Sequence, residues 1–111
     1  MAIKSKQDGN TAVVSVSGRL DAVTAPQYRV AIRELVDGGT TRAVIDFGEL
    51  HYISSAGLAE LLVSANLLKE KEGQFSVANV SPNVLSVFAM CGIEKVVTIH
   101  KSVADALAAS A

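Results

Sequence analysis

Residues 43–58, AVIDFGELHYISSAGL, are the stretch of sequence that decides the fold. Ala43 to Phe47 form a short, nearly continuous apolar run, which is typical of a central strand buried on both faces of a sheet. The sequence predicts a loop from Gly48 to Ile53 and a helix that starts at Ser54 or Ser55. A buried strand followed by a helix indicates the α/β class.

Strands and helices alternate on both sides of this stretch. Asp8-Gly9-Asn10 predicts the turn of an N-terminal β-hairpin, whose second strand runs from Thr11 to Ser17. The further predicted elements are helices over 24–37, 54–72, 82–91 and 103–109, and strands over 75–80 and 96–99. The order β-β-α-β-α-β-α-β-α predicts one α/β domain over residues 1–111, with a small mixed, largely parallel sheet and about four helices.

Apolar residues at three- and four-residue spacings predict which helix faces are buried. On the second helix, the residues predicted to face the core are Leu58, Leu61, Leu62, Ala65 and Leu68. A second stripe beside them suits either an interface or packing against a neighbouring helix, and consists of Ala56, Glu60, Val63 and Leu67. On the third helix, Leu85 is predicted to be buried, and the single cysteine, Cys91, is expected to be a small core residue.

The composition excludes several classes of partner. Lys and Arg total 10, Asp and Glu total 11, and the formal net charge is −1, so no nucleic-acid partner is expected. No apolar stretch approaches the roughly 18 residues of a membrane span, so no direct membrane insertion is expected. The N-terminus has no cleavage pattern, and the expected location is the cytoplasm. The alternating charges from Lys69 to Glu72 are interpreted as a solvated helix end.

Ser54 and Ser55 stand where chemistry is expected, because ligands of open α/β sheets gather where strands end and helices begin. A serine before a helix is usually an N-cap. The free N–H groups and partial positive charge of a helix start would also stabilise a phosphate on Ser55. The small residues Ala56 and Gly57 are interpreted as leaving space for another protein to approach that hydroxyl. The residues alone leave both roles open.

The same segment resembles the motif of the STAS domain family of anti-sigma-factor antagonists, which reads Asp-Ser-Ser/Thr/Ala-Gly-Leu after a short strand and a loop with an aromatic residue. Here the matching stretch runs from Leu50 to Leu58. Three other segments resemble the family in order and spacing, and they are Gly18-Arg19-Leu20-Asp21, Val44-Ile45-Asp46-Phe47 and Phe88-Ala89-Met90-Cys91-Gly92-Ile93. The resemblance therefore spans nearly the whole chain.

The resemblance implies a partner-switching protein. In the family, the serine matching Ser55 is phosphorylated by an anti-sigma factor that is an ATP-dependent serine kinase, and a metal-dependent serine phosphatase restores it. The unphosphorylated form binds the kinase and frees the sigma factor, and phosphorylation abolishes that binding. Because Ser54 stands where the family has Asp, Ser54 is the alternative acceptor. The residues expected at the partner surface are Asp21, Ser54, Ala56, Gly57 and Glu60.

Catalysis by this chain is not expected. The nucleophile elbow of hydrolases needs Gly-x-Ser-x-Gly, and Ile53 stands where its first Gly should be. His51 and His100 are the only histidines, neither has metal-ligand spacing, and no phosphate-cradling loop is present, so no catalytic residue, metal or cofactor is expected. The alternative function is that of a STAS subunit of a lipid-transport or stress-sensing complex without a sigma-factor client.

Overall fold

Six strands and four helices make up residues 1–109, the part of the chain that the computed structural model describes. In chain order they are β1 (Ala2–Asp8), β2 (Thr11–Leu20), α1 (Ala25–Asp37), β3 (Arg42–Asp46), β4 (Leu50–Ile53), α2 (Ser55–Glu70), β5 (Gln74–Ala78), α3 (Pro82–Cys91), β6 (Thr98–His100) and α4 (Val103–Ala108). A 3-10 turn over Ile93–Lys95 lies between α3 and β6.

The strands form one sheet in the order β1-β2-β3-β5-β6, and β4 pairs with the far end of β2. β1 and β2 form an antiparallel hairpin, whereas the pairs β2/β3, β2/β4, β3/β5 and β5/β6 are parallel. Parallel neighbours need crossover connections, which α1, α2 and α3 supply. The predicted α/β class, with a mixed, largely parallel sheet, an N-terminal hairpin and four helices, is confirmed.

The strand β4 corrects the predicted loop between Gly48 and Ile53. Leu50 pairs with Gly18 and Ile53 pairs with Leu20, and the register shifts after Gly18. Leu50 and Ile53 are both buried, whereas the two residues between them are exposed. A regular strand buries every second residue, whereas β4 buries its first and last residues beside a bulge. Its sequence therefore lacks the alternation by which strands are predicted.

The helices cover the two faces of the sheet unequally. One face carries the main core, in which the largest fully buried side chains are Tyr28, Phe47, Phe88, Leu20, Ile32, Ile45, Leu50, Leu61 and Leu68. These residues come from the sheet and from α1, α2 and α3, so the three crossover helices share that face. On the opposite face, α4 packs over the central strands through a small cluster formed by Val44, Ala78 and Ala106.

Arg42, the first residue of β3, fixes the end of α4. Its Nη2 donates to the backbone oxygens of Ala106 at 2.6 Å, Leu107 at 3.1 Å and Ala109 at 2.8 Å. The last carbonyl groups of a helix have no intrahelical donor, and the Arg42 guanidinium supplies one. The Arg42 side chain therefore adds a polar attachment of the last helix to the sheet, beside the apolar cluster.

The buried stripe of α2 differs from the predicted one. Leu62, which was expected in the core, is 42% exposed, whereas Glu60 and Ser64 are buried. The reason is that α2 contacts α1 as well as the sheet. The buried face of α2 is therefore turned toward α1. The three- and four-residue spacing of apolar residues predicts burial against one partner only, so it does not predict this rotation.

On α3 the buried face is narrower than predicted. Val84 and Phe88 are buried, as expected, but Leu85 is 44% exposed. Cys91 is also exposed, so the expectation of a core cysteine is wrong. It is the last residue of α3, where the chain turns away at Gly92 and nothing covers the side chain.

A buried hydrogen-bond chain joins α1 to α2. Ser64 Oγ donates to the backbone oxygen of Glu60 at 2.8 Å, so the Tyr28 hydroxyl, which lies 2.9 Å from Ser64 Oγ, is the donor in that second bond. Burial raises the pKa of Tyr28 well above its usual range, so the hydroxyl keeps its proton. The chain lets α1 and α2 bury two hydroxyl groups without leaving either unpaired.

Removing the Tyr28 hydroxyl is expected to destabilise the fold. Tyr28→Phe leaves Ser64 Oγ buried without its donor, and the expected cost is about 1–2 kcal/mol in the free energy of unfolding. Urea denaturation measures it. The matched control is Tyr52→Phe, since Tyr52 is exposed, and its loss is expected to stay within about 0.5 kcal/mol. Equal stability of the two variants would contradict the buried chain.

Candidate functional site

The ends of β2 and β4 bring the two predicted site segments together. Leu20 pairs with Ile53 as the last residue of each strand, and the Ser54 N–H donates to the Leu20 backbone oxygen at 2.9 Å. Asp21 follows β2 and Ser54 follows β4, so both lie at the carboxyl edge of the sheet. That edge is where open α/β sheets place their binding sites.

The two adjacent serines have different surroundings. Ser54 is the N-cap of α2, and its Oγ accepts from the Gly57 N–H at 3.3 Å. Ser55 is the first residue of α2, its side chain is exposed, and its hydroxyl makes no hydrogen bond within residues 1–109. The capping role therefore falls to Ser54, and the Ser55 hydroxyl stays available.

The start of α2 can stabilise an anion. α2 has 16 residues, and its first amide groups, those of Ser55 and Ala56, precede any intrahelical acceptor. Aligned peptide dipoles add partial positive charge at this end. A phosphate on Ser55 would therefore lie beside N–H groups that have no other intrahelical partner.

Asp21 is held as a carboxylate by its own loop. Its Oδ1 accepts from the Val23 N–H at 3.0 Å and the Thr24 N–H at 3.2 Å. The backbone N–H of Thr24, followed by that of Val23, holds the pKa of Asp21 below its usual value.

Thr24 occupies the predicted N-cap position of α1, but its hydroxyl donates to the Arg19 backbone oxygen at 2.8 Å instead of capping the helix.

Arg19 and Tyr52 join the site. Both belong to the two predicted site segments, but neither was among the predicted site residues. The Arg19 guanidinium lies 4.1 Å from the centre of the Tyr52 ring, and its Nε lies 3.5 Å from Asp21 Oδ2. The two residues are partners in the β2/β4 register. A predicted β2/β4 pairing would have placed the arginine opposite the aromatic ring, but the sequence analysis predicted a loop in place of β4.

Gly57 and Glu60 do not lie where the sequence placed them. Gly57 is buried, and a methyl group there would lie 2.5 Å from the Leu20 backbone oxygen, so this glycine lets α2 approach β2 rather than making room for a partner. Glu60 is only 6% exposed, and its Oε2 accepts from Arg29 Nε at 3.0 Å. The partly exposed Arg29 guanidinium, and not the Glu60 carboxylate, therefore reaches the surface there.

The site residues that remain at the carboxyl edge are Asp21, Ser54, Ser55 and the half-buried Ala56. Among residues 1–109, no group of three or more His, Cys, Asp or Glu side chains could hold a metal ion. No helix in the described part of the chain is long and apolar enough to cross a membrane.

Gly57→Ala is expected to lower the free energy of unfolding by about 1–3 kcal/mol. Alanine is the better helix former, by about 1 kcal/mol, so propensity alone predicts the opposite sign. The clash with the backbone oxygen of Leu20 decides the sign, because backbone cannot move aside as a side chain can. Urea denaturation tests this. Ala59→Gly, at an exposed position of α2, is the control for propensity, and a stabilised Gly57→Ala variant would refute the close approach.

The Asp21 carboxylate is expected to make folding sensitive to acid. Because its pKa is lower in the folded state, the ionised carboxylate stabilises the fold above the ordinary value of 3.8, and this contribution disappears as pH falls through the folded pKa. The difference in unfolding free energy between wild type and Asp21→Asn should therefore be constant near neutral pH and change below pH 3.8. A carboxyl-carbon NMR titration giving Asp21 a pKa at or above 3.8 would overturn this.

The STAS domain family matches residues 2–106 of this chain. BtrV of Bordetella bronchiseptica, named as a candidate anti-sigma factor antagonist, is 32% identical over 97 residues, which cover 87% of this chain and 84% of BtrV. The anti-sigma-F factor antagonist RsfB of Mycobacterium tuberculosis is 30% identical over 99 residues, which cover 86% of this chain and 78% of RsfB.

Solved structures of anti-sigma factor antagonists are also similar to this chain. An anti-sigma factor antagonist from Mycobacterium paratuberculosis has a TM-score of 0.86 at 29% identity and covers 96% of this chain and 90% of its own. The anti-sigma factor antagonist SpoIIAA in its unphosphorylated form has a TM-score of 0.75 at 22% identity, over 94% of this chain and 92% of its own, which shows a shared fold. With the family matched over residues 2–106, the chain belongs to the STAS domain family.

Proposed function

We propose that this protein is an anti-sigma factor antagonist that works by partner switching, with Ser55 as its phosphate acceptor. The observation that carries the proposal is the division of roles between two serines: Ser54 Oγ caps α2, and Ser55 Oγ is exposed and unengaged within residues 1–109. An acceptor hydroxyl has to enter a kinase active site, which a capping hydroxyl cannot do without breaking its bond. The relatives named as anti-sigma factor antagonists support the same role.

The proposed partner is an anti-sigma factor that is an ATP-dependent serine kinase. Ser55 Oγ attacks the γ-phosphorus of ATP held by the kinase, the new O–P bond replaces the bond to ADP, and a base on the kinase takes the serine proton. This chain supplies only the acceptor, so ATP and its metal ion belong to the partner. A metal-dependent serine phosphatase then transfers the phosphate to water and restores the hydroxyl.

Phosphorylation would act mainly through charge. The phosphate adds about 1.5 to 2 negative charges at neutral pH. The start of α2 stabilises those charges in the free domain, so little change of fold is expected. In a complex fitted to a neutral hydroxyl, the same charges lose their hydration beside the ionised Asp21. Phosphorylation therefore abolishes binding to the kinase by repulsion and desolvation.

The unphosphorylated form binds the kinase and frees its sigma factor. Of the exposed residues near Ser55, the stacked pair Arg19 and Tyr52 adds an aromatic and a cationic group to the surface offered to the kinase. Arginine and tyrosine are enriched at the centres of protein interfaces. Since bacterial transcription takes place in the cytoplasm, the proposed role places the protein there.

Mass spectrometry of the protein purified from its native cells is expected to find one phosphate, on Ser55. Ser55→Ala should abolish the modification, whereas Ser54→Ala should retain it. The free energy of unfolding is expected to fall in the Ser54→Ala variant, since loss of the cap costs about 1 kcal/mol. Loss of an unbonded exposed hydroxyl is expected to cost less than about 0.5 kcal/mol.

The same variants test the switch. Immobilised Ser55→Ala protein is expected to retain an ATP-dependent serine kinase from native-cell extract, and Ser55→Asp protein to bind that purified kinase at least about tenfold more weakly. Phosphate found on Ser54, or no phosphate when phosphatases are inhibited, would refute Ser55 as the acceptor. Equal binding of the two variants would refute the charge mechanism.

A further inference from the structure

A groove lies at the opposite end of the strands from Ser55. β6 pairs with β5 only from Ser76 to Ala78, so within residues 1–109 the first two residues of β5, Gln74 and Phe75, have no strand on that side. The gap is lined by residues of α2, the 3-10 turn and α4, and its volume is about 740 Å³. Small-molecule sites have volumes of this order.

The charged side chains that line the groove are all basic. They are Arg42, Lys69 and Lys95, His100 also lines the groove, and no carboxylate side chain of residues 1–109 lines it. Arg42 Nη2 donates to three carbonyl oxygens at the end of α4, which holds this guanidinium in place without neutralising its charge. Neither lysine forms an ion pair with a described residue.

This concentration of positive charge contrasts with the chain as a whole, in which acidic residues outnumber Lys and Arg by 11 to 10. Lys69 belongs to the alternating run that was interpreted as a solvated helix end. The structure brings this one member of the run to the groove with Lys95, and none of the other three lines it. The basic character of the groove therefore arises from tertiary structure and not from a local cluster in sequence.

Apolar side chains line the same groove. Leu62 of α2 is 42% exposed and Val96, directly after the 3-10 turn, is 60% exposed. Phe75 of β5 also lines it. Removing apolar surface from water lowers the free energy roughly in proportion to the area buried, so an apolar chain lying on Leu62 and Val96 would be stabilised there.

We propose that this lysine groove, defined by Leu62, Lys69, Phe75, Lys95 and Val96, binds a small amphiphilic phosphate monoester. The two ammonium groups receive the phosphate, and the apolar residues receive the alkyl chain. A phosphate monoester carries up to two negative charges at neutral pH and three acceptor oxygens, so it matches two ammonium groups better than a carboxylate does. The site is separate from the proposed switch, because it lies at the amino ends of the strands and Ser55 follows a carboxyl end.

The test is an NMR titration of the ¹⁵N-labelled full chain with octyl phosphate below its critical micelle concentration. Saturable shifts are expected for amides of the lysine groove, and none for Ser55. Lys69→Gln combined with Lys95→Gln should weaken binding about tenfold or more, since charged hydrogen bonds are lost. Both lysines are exposed, so the double variant should fold, and Lys4→Gln combined with Lys6→Gln on β1 is the matched control for charge.

Two further probes separate the parts of the ligand. Inorganic phosphate lacks the chain and octyl glucoside lacks the charge, and both are expected to bind at least about tenfold more weakly than octyl phosphate. Equal binding of either probe, unchanged binding by the Lys69/Lys95 variant, or no saturable shift would overturn the proposal. Sedimentation with phosphatidylcholine vesicles that contain phosphatidic acid, but not with phosphatidylcholine alone, would identify a lipid head group as the source. Binding of octyl phosphate without such sedimentation would identify a soluble ester.

Discussion

The close approach of Gly57 to the end of β2 is the constraint on which the candidate site depends. Only a residue without a side chain allows the first turn of α2 to lie against the Leu20 backbone. The same backbone oxygen receives the Ser54 N–H, so strand end and helix start are joined through main-chain atoms. Main-chain contacts therefore set the relative backbone positions of Asp21, Ser54 and Ser55 before any partner binds.

The substitution of serine for the family's aspartate at position 54 has little structural consequence. Serine and aspartate are both strong N-cap residues, because each offers an oxygen to an unpaired amide of the first turn. Ser54 performs this task by accepting from Gly57. What changes is the charge, since a serine cap is neutral and an aspartate cap carries a negative charge. A partner of this chain would therefore meet one negative charge fewer at the start of α2 than it would with an aspartate cap.

Local patterns predicted the features that depend on local structure. The apolar run from Ala43 to Phe47 predicted a central strand, and the family motif drew attention to Ser55 and Asp21, whose roles remain predictions. β4 could not be predicted, because its burial comes from a bulged pairing with β2. The burial of Glu60 depends on α1 lying across α2, and the stacking of Arg19 on Tyr52 depends on β4. These contacts arise from tertiary packing, for which a single sequence carries no periodic signal.

The attachment of α4 by Arg42 has a consequence for how the domain opens. α4 has only six residues, far fewer than an isolated helix needs, so its helical structure depends on contacts with the sheet beneath it. The free energy that holds it comes from a small apolar cluster, three buried residues with Val13 and Val103 packed against them, and from one guanidinium. Native-state hydrogen exchange would accordingly report α4 as a separate cooperative unit, opening before the strands that carry the main core. The last helix is thus the part of this fold that can detach while the switch region stays intact.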